Sequence, residues 1–213
     1  GGMAAPTSWP SIGIDNRAIG RVATEHLVAG GARRVAIVTG PLDWWEAQER
    51  LHGWREVLDA RGIGEDDRLV VEGDWGALSG ELALERLLAG LPGVDAVFAS
   101  NDQMALGILH AAHQAGLRIP DDLSVVGVDD MPESSHFCPS LTTVHQPLRD
   151  AGALAVEELD RWIRHERQPR KRDLLGPSAT LLMPTLIVRA SSRPPLADPS
   201  GGRLPASEQR VTA

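Results

Sequence analysis

The sequence contains one cysteine, one lysine, two phenylalanines and no tyrosine. The single Cys138 excludes an intrachain disulfide and a cysteine-rich zinc site. No run reaches the eighteen or so uncharged apolar residues that a membrane-spanning helix needs. The amino-terminal residues also lack the basic and apolar regions of a secretory signal. These absences lead us to expect a cytoplasmic protein without a membrane anchor.

Sequence motifs of common enzyme classes are also missing. The chain has no GxGxxG, GxxxxGK[ST], GxSxG or HExxH pattern. His110 and His113 form an i,i+3 pair on a predicted helix, but no third metal ligand accompanies them. Asp129 and Asp130 are adjacent at a predicted strand end, where neighbouring side chains point in different directions. We therefore predict that the protein is not an enzyme and binds no cofactor or metal.

The charge balance argues against a DNA-contacting surface. The chain has 21 basic and 29 acidic residues, a formal net charge of −8. Domains that grip DNA usually carry a basic excess, because phosphate contacts supply much of their affinity. The basic cluster between Arg164 and Arg172 is better explained as a solvated loop.

Hydrophobic periodicity predicts a repeated alternation of strands and helices. Apolar residues recur at helical spacing in five segments: 16–31, 44–61, 77–88, 102–115 and 148–165. Seven short apolar runs between and after them read as strands: 34–40, 69–72, 96–99, 123–128, 141–144, 179–183 and 186–188. This order predicts an α/β fold with a parallel sheet flanked by helices on both faces.

Several segments of the chain together resemble the effector-binding core of the lac repressor family of bacterial transcription regulators. They follow the family's order from about Ile12 to Ser192, and include Ile14-Asp-Asn16, Arg34-Val-Ala-Ile-Val-Thr-Gly-Pro41, Gly73-Asp-Trp75, Ser100-Asn-Asp-Gln-Met-Ala-Leu-Gly107, Ile119-Pro-Asp-Asp-Leu-Ser-Val-Val-Gly-Val-Asp-Asp130 and Pro139-Ser-Leu-Thr-Thr-Val144. Each segment alone is weak evidence, but the set is specific. The resemblance implies a periplasmic-binding-protein-like fold of type I.

The resemblance also implies a division of the chain, with a complete C-lobe and a partial N-lobe. Residues 1–32 would be an N-lobe remnant with one helix, 33–146 the effector-binding C-lobe, and 147–173 a returning N-lobe helix and loop. Residues 174–192 would be closing strands of the C-lobe, and 193–213 a disordered tail. The two N-lobe helices would then lack the sheet that they cover, leaving apolar faces to be buried in another way.

Candidate effector-binding residues lie at the expected carboxyl ends of the parallel strands, where α/β sheets bind ligands. A sugar offers hydroxyl groups and an apolar C–H face. An indole, an amide, a carboxylate and a guanidinium suit it, and the resemblance assigns effector contact to Trp75, Asn101, Asp129 and Arg50. Each also has a structural alternative: Arg50 as a surface residue, Trp75 as a packing residue at the cleft rim, and Asn101 and Asp129 as helix or turn caps.

Two further residues are weaker candidates for effector contact. Gln146 lies at the crossing between the lobes. Trp44 and Trp45 are adjacent and cannot share one helix face. One should be buried and the other should line the cleft as a second stacking platform, for which we name Trp45.

The resemblance implies the ligand-binding and dimerisation core of a sugar-responsive transcription regulator, with Phe137 and Cys138 in a homodimer interface. Its partners would be a sugar effector and operator DNA, the latter only through a helix-turn-helix domain that precedes the core in family members. The alternative is a transport-type sugar-binding protein of the same fold.

Overall fold

The computed structural model describes residues 11–64, 66–166 and 179–196. The strands are β1 (Ser11–Ile14), β2 (Val35–Thr39), β3 (Val70–Glu72), β4 (Ala96–Ala99), β5 (Ser124–Val128), β6 (Thr142–His145), β7 (Ala179–Leu182) and β8 (Thr185–Ile187). The α-helices are α1 (Asn16–Ala29), α2 (Trp45–Ala60), α3 (Ala77–Gly90), α4 (Asp102–Gln114) and α5 (Leu148–Glu166). Short 3-10 turns cover Asp67–Leu69 and Pro132–His136.

Six of the strands form one sheet in the order β3-β2-β4-β5-β6-β8. Neighbours from β3 to β6 run parallel, and β8 joins β6 antiparallel. Every residue of β2 and β5 is buried, as a strand covered on both faces requires. Helix α2 connects β2 to β3, and α3 connects β3 back across β2 to β4, so the two connections run in opposite directions along the sheet. Because crossovers between parallel strands are right-handed, α2 and α3 lie on opposite faces. The predicted α/β fold is confirmed.

Helix α1 belongs to this main layer, which corrects its assignment to an N-lobe remnant. Its apolar residues Ile19, Ala23 and Leu27 are buried in the same core as the six-stranded sheet. It packs along α2 and touches β2, β4, β5 and β6. The apolar face of α1 is therefore buried against the main sheet.

Strand β7 was predicted to help close the main sheet, but it lies in a separate two-stranded sheet. Strand β7 pairs in parallel with β1, so only β8 of the late strands closes the six-stranded sheet. Helix α5 contacts β1 and leaves part of its apolar face exposed. Its exposed large side chains are Leu148, Val156, Leu159 and Ile163. An uncovered apolar face was expected for both N-lobe helices, and α5 is the one that has it.

The segment after β8 is held on the main layer up to residue 196. Arg193 Nη2 donates to the carbonyl oxygen of Asp95, and Leu196 N donates to that of Ala29. The predicted tail therefore does not begin at residue 193, because these backbone and side-chain groups have partners in the fold. The rest of that prediction, 197–213, lies outside the described residues, as do residues 1–10 and 167–173.

Candidate ligand-binding cleft

The predicted site residues come together at the carboxyl edge of the six-stranded sheet. Trp75 follows β3, Asn101 follows β4, Asp129 follows β5 and Gln146 follows β6, while Arg50 reaches this edge from α2. Strands β2 and β4 are neighbours, but their following connections lead in opposite directions. Ligands of open α/β sheets bind at such a switch point, because the diverging loops leave a crevice.

Arg50 is the buried cation of this crevice. The residue is 5% exposed; its Nε donates to Asn16 Oδ1 at 2.9 Å, and its Nη1 donates to the carbonyl oxygen of Ser100. Burial lowers the pKa of the Arg50 guanidinium, and the charge of Asp129 opposes that shift. Within the described residues no carboxylate oxygen lies within 4.0 Å of the guanidinium. The crevice therefore holds a positive charge without a direct ionic partner, which favours acceptor groups on a ligand.

Asp129 is the carboxylate that faces Arg50 at longer range. Burial raises the pKa of Asp129, while the charge of Arg50 and a hydrogen bond from Gln146 lower it. That bond joins Gln146 Nε2 to Asp129 Oδ1 at 2.6 Å. The two predicted residues Asp129 and Gln146 are thus one hydrogen-bonded pair at the ends of β5 and β6.

The neighbouring Asp130 has different partners. Its Oδ1 accepts from Arg189 Nη2 at 2.6 Å, and its Oδ2 lies 3.3 Å from His145 Nδ1. The two adjacent acids therefore serve different parts of the molecule, as predicted for neighbours at a strand end.

Backbone strain is concentrated around the cleft. Among the described residues, three non-glycine residues have positive φ: Trp75 at 71°, Asp129 at 114° and Asp130 at 54°. Residues other than glycine rarely adopt a positive φ. Those that do cluster at functional sites, where surrounding contacts hold the backbone in this conformation. Trp75 and Asp129 lie at the ends of β3 and β5, so these unfavourable angles occur where the chain leaves the sheet.

Asn101 combines the two roles that the sequence left open. Its Oδ1 accepts from Met104 N at 2.8 Å and caps α4, while its Nδ2 donates to the carbonyl oxygen of Trp75 at 2.9 Å. The amide therefore fixes the loop that carries Trp75. An amide oxygen accepts twice and its nitrogen donates twice, so one site on each remains for a ligand.

The tryptophan that contacts Trp75 is Trp44, and the effector contact predicted for Trp45 stays a prediction. The ring centroids of Trp44 and Trp75 lie 6.0 Å apart, with planes at 69°. Trp45 lines a cavity of about 300 Å³ beside the amino ends of α1 and α2. The other lining residues are Ile14, Asp15, Arg17, Arg21, Glu49 and Leu181. Periodicity distinguished the two indoles but did not indicate which of them faces the cleft.

Sequence reasoning also missed two supporting residues. Asp15 caps α1, and the next residue, Asn16, accepts a hydrogen bond from Arg50 through its Oδ1 atom. Asp102 is fully buried and accepts from Met131 N, Ser134 Oγ and Thr143 Oγ1 at 3.0, 2.6 and 2.6 Å. Burial raises the pKa of Asp102, and these three donors oppose the shift. The only signal in the sequence was the Asn-Asp pair at a strand end.

The residues predicted for self-association follow the Pro132–His136 turn. Phe137 is partly buried and packs against the chain's own core, whereas Cys138 is exposed. Their role in a homodimer stays a prediction.

The described part of the chain holds no metal centre or membrane-spanning helix. No group of three or more His, Cys, Asp and Glu side chains there is arranged to hold a metal ion. None of the described helices combines the length and apolar character needed to cross a membrane.

Comparison with known proteins identifies transcription regulators among the relatives of this chain. Residues 24–192 match the family model described as a periplasmic binding protein-like domain. The HTH-type transcriptional regulator CelR of Thermobifida fusca is 44% identical over 152 residues, which cover 70% of this chain and 45% of that protein. The ribose operon repressor of Escherichia coli K12 is 38% identical over 158 residues, covering 74% and 48%. The chain spans about half the length of these curated relatives.

Solved structures agree with the sequence matches. A transcriptional regulator CelR–cellobiose complex has a TM-score of 0.77 at 36% identity, covering 89% of this chain and 56% of that one. A LacI family transcriptional regulator from Mycobacterium smegmatis has a TM-score of 0.74 at 32% identity, covering 87% and 66%.

Proposed function

Because the chain belongs to the family of periplasmic binding protein-like domains, in the form found in LacI-type transcription regulators, we propose that it binds a sugar effector of a bacterial repressor. The observation that carries this proposal is the buried Arg50 guanidinium, which has no carboxylate oxygen within 4.0 Å among the described residues and interacts with the charge of Asp129 only at longer range.

The chemistry of the crevice suits a polyhydroxylated ligand. Sugar hydroxyls both donate and accept, so they can bond Arg50 as acceptors and Asp129 as donors. Gln146 and Asn101 add amide groups, and Trp75 adds an apolar surface for a C–H face. A hydrogen bond to a charged group contributes more to binding than one between two neutral groups. Arg50 and Asp129 can therefore bind a small neutral sugar in competition with water.

The regulatory role rests on the relatives. We propose that sugar in the cleft biases a lobe arrangement that alters operator binding in a homodimer located in the cytoplasm. Operator contact would be made by a helix-turn-helix region outside these residues, and subunit contact by the surface around Phe137 and Cys138. Couplings of this kind are typically about 1–3 kcal/mol, which changes affinity about 5- to 150-fold.

Calorimetric titration with glucose, cellobiose, maltose, lactose and ribose tests the proposal. We expect at least one sugar to bind, and Arg50→Gln to weaken that binding about 10- to 150-fold, since it removes charged hydrogen bonds. Arg118→Gln is the matched control, because Arg118 is exposed and pairs with Asp122 at the surface. Circular dichroism checks that both variants fold. Equal binding by Arg50→Gln, or no binding by any sugar, would overturn the proposal.

A further inference from the structure

Trp44 is an exposed aromatic residue on a rigid turn beside the cleft. The residue is 53% exposed and immediately precedes α2. Its backbone N–H donates to the carbonyl oxygen of Pro41 at 3.0 Å, which closes the turn. Glu72 Oε1 accepts from Leu42 N, and Gln48 Nε2 donates to the carbonyl oxygen of Leu42. The turn is thus tied to β3 and α2, which fixes the position of the Trp44 backbone.

Trp75 contacts Trp44 and is the more buried of the two indoles. A Cβ atom added at Gly40 would lie 2.0 Å from Trp75 Cζ2, so the indole packs directly on the backbone at the end of β2. The Arg50 guanidinium carbon is 5.8 Å from the Trp75 ring centroid. Trp75 is therefore packed among protein groups and is only partly buried.

The geometry of the two indoles leaves Trp44 available. Their planes meet at 69°, an edge-to-face contact that uses the edge of one ring. At least one face of Trp44 is consequently not covered by Trp75. An exposed indole face on a rigid turn offers a large contact area at little cost in conformational entropy.

The polar groups described for the cleft lie beside Trp75. Arg50 contacts Trp75, and the side chain of Asn101 bonds to the Trp75 backbone. The Trp44 ring centroid lies 6.0 Å from that of Trp75, and Trp44 is the more exposed of the two indoles. The cleft therefore has a polar inner position for one ring and an apolar outer position for a second.

We propose that Trp44 stacks on the second ring of the effector, so that the protein prefers a disaccharide or a longer oligosaccharide over a monosaccharide. This inference rests on the proposed sugar-binding function and assigns a specificity-determining residue within it. Trp44 sets the preference for chain length, while Arg50 and Asp129 hold the first ring.

Trp45 supplies a matched control. It is the same residue type at the next position, but it lines a cavity with Asp15 and Glu49, whereas the ring that contacts Trp75 is that of Trp44. A general effect of removing an indole from this turn should therefore appear in both variants, whereas a stacking effect should appear in one.

The test measures the affinity of wild type, Trp44→Ala, Trp44→Phe and Trp45→Ala for each disaccharide of the panel and for its component monosaccharides. We expect the wild type to bind one disaccharide at least about tenfold more tightly than its components. Trp44→Ala should lose about tenfold for that disaccharide and less than about twofold for the monosaccharide. Trp44→Phe should recover part of the loss, and Trp45→Ala should keep the wild-type ratio.

Three results would overturn the inference while leaving sugar binding intact. These are equal affinity for one and two rings, equal losses for both in Trp44→Ala, and the same ratio change in Trp45→Ala. Absence of binding to every sugar would overturn the proposed function and this inference together, so the two failures are distinguishable.

Discussion

Asp129 and Asp130 follow β5 side by side, yet each is committed to a different neighbour. Asp129 accepts from Gln146 and lies near the charge of Arg50. Asp130 pairs with Arg189 and His145, which anchor it to β6 and the segment after β8. Two chemically identical side chains thus have different partners, and only Asp129 lies near the buried Arg50.

We predict that Asp129→Asn weakens sugar binding about 10- to 150-fold, because a charged acceptor is lost from the cleft. Asp130→Asn should change the affinity by less than about threefold, since its carboxylate is partly exposed and its ion pairs are structural. Calorimetric titration of both variants with the same sugar measures the difference. An equal or larger loss for Asp130→Asn would show that the assignment is reversed.

At the scale of elements, the position of Arg50 depends on how closely α1 approaches α2. A Cβ atom added at Gly20 would lie 2.1 Å from the Arg50 carbonyl oxygen, and one at Gly53 would lie 2.2 Å from that of Arg17. Only hydrogen at both positions allows the two backbones to pack at this distance. The helix crossing therefore aligns Asn16 on α1 with the guanidinium on α2.

We predict that Gly20→Ala lowers the free energy of unfolding by about 1–3 kcal/mol, because overpacking forces the helices apart. Sugar affinity should fall in the same variant, since Arg50 moves with its helix. Gly152→Ala is the control: nothing lies within 4 Å of a Cβ at Gly152 in α5, so the change should stabilise by up to about 1 kcal/mol. Urea unfolding of wild type, Gly20→Ala and Gly152→Ala measures the two changes in the free energy of unfolding, and calorimetric titration measures the sugar affinity. A Gly20→Ala variant as stable as wild type would refute the close-packing argument.

At the scale of the whole molecule, the charge of −8 opposes any approach to duplex DNA. Counterion release on phosphate contact requires clustered basic side chains. The described arginines are largely engaged with acids, as Arg17 and Arg21 are with Glu56, and Arg118 with Asp122. This charge distribution agrees with the proposal that these residues bind a sugar and that DNA contact is made elsewhere.

We predict that this chain of 213 residues does not bind duplex DNA specifically at physiological salt, because several phosphate contacts are needed to hold a reading helix in the groove. Repeated selection from a random duplex library, followed by fluorescence anisotropy on enriched sequences, makes the measurement. Enrichment of one sequence that this chain binds at nanomolar concentration would show that the DNA-reading surface lies within it.

The sequence by itself determined the alternation of strands and helices and the edge of the sheet where the site residues collect. Uninterrupted apolar runs such as the one in β2 require burial on both faces, and helical spacing follows from a single apolar stripe. Residues at the carboxyl ends of such strands must share one edge. Arg50, Trp75, Asn101, Asp129 and Gln146 could therefore be named from strand ends and the family resemblance.

Only the tertiary structure decided which surfaces and side chains meet. Periodicity indicates that one face of α1 is buried, but not which element covers it, so α1 was assigned to the wrong lobe. An apolar run likewise does not indicate its partner strand, so β7 was assigned to the wrong sheet. Side-chain direction at the strand ends depends on backbone angles that are unfavourable locally, 71° at Trp75 and 114° at Asp129. Such angles persist only where distant contacts hold them, as Asn101 does for the Trp75 loop. Which of Trp44 and Trp45 contacts Trp75 was likewise decided by contacts between segments far apart in the chain.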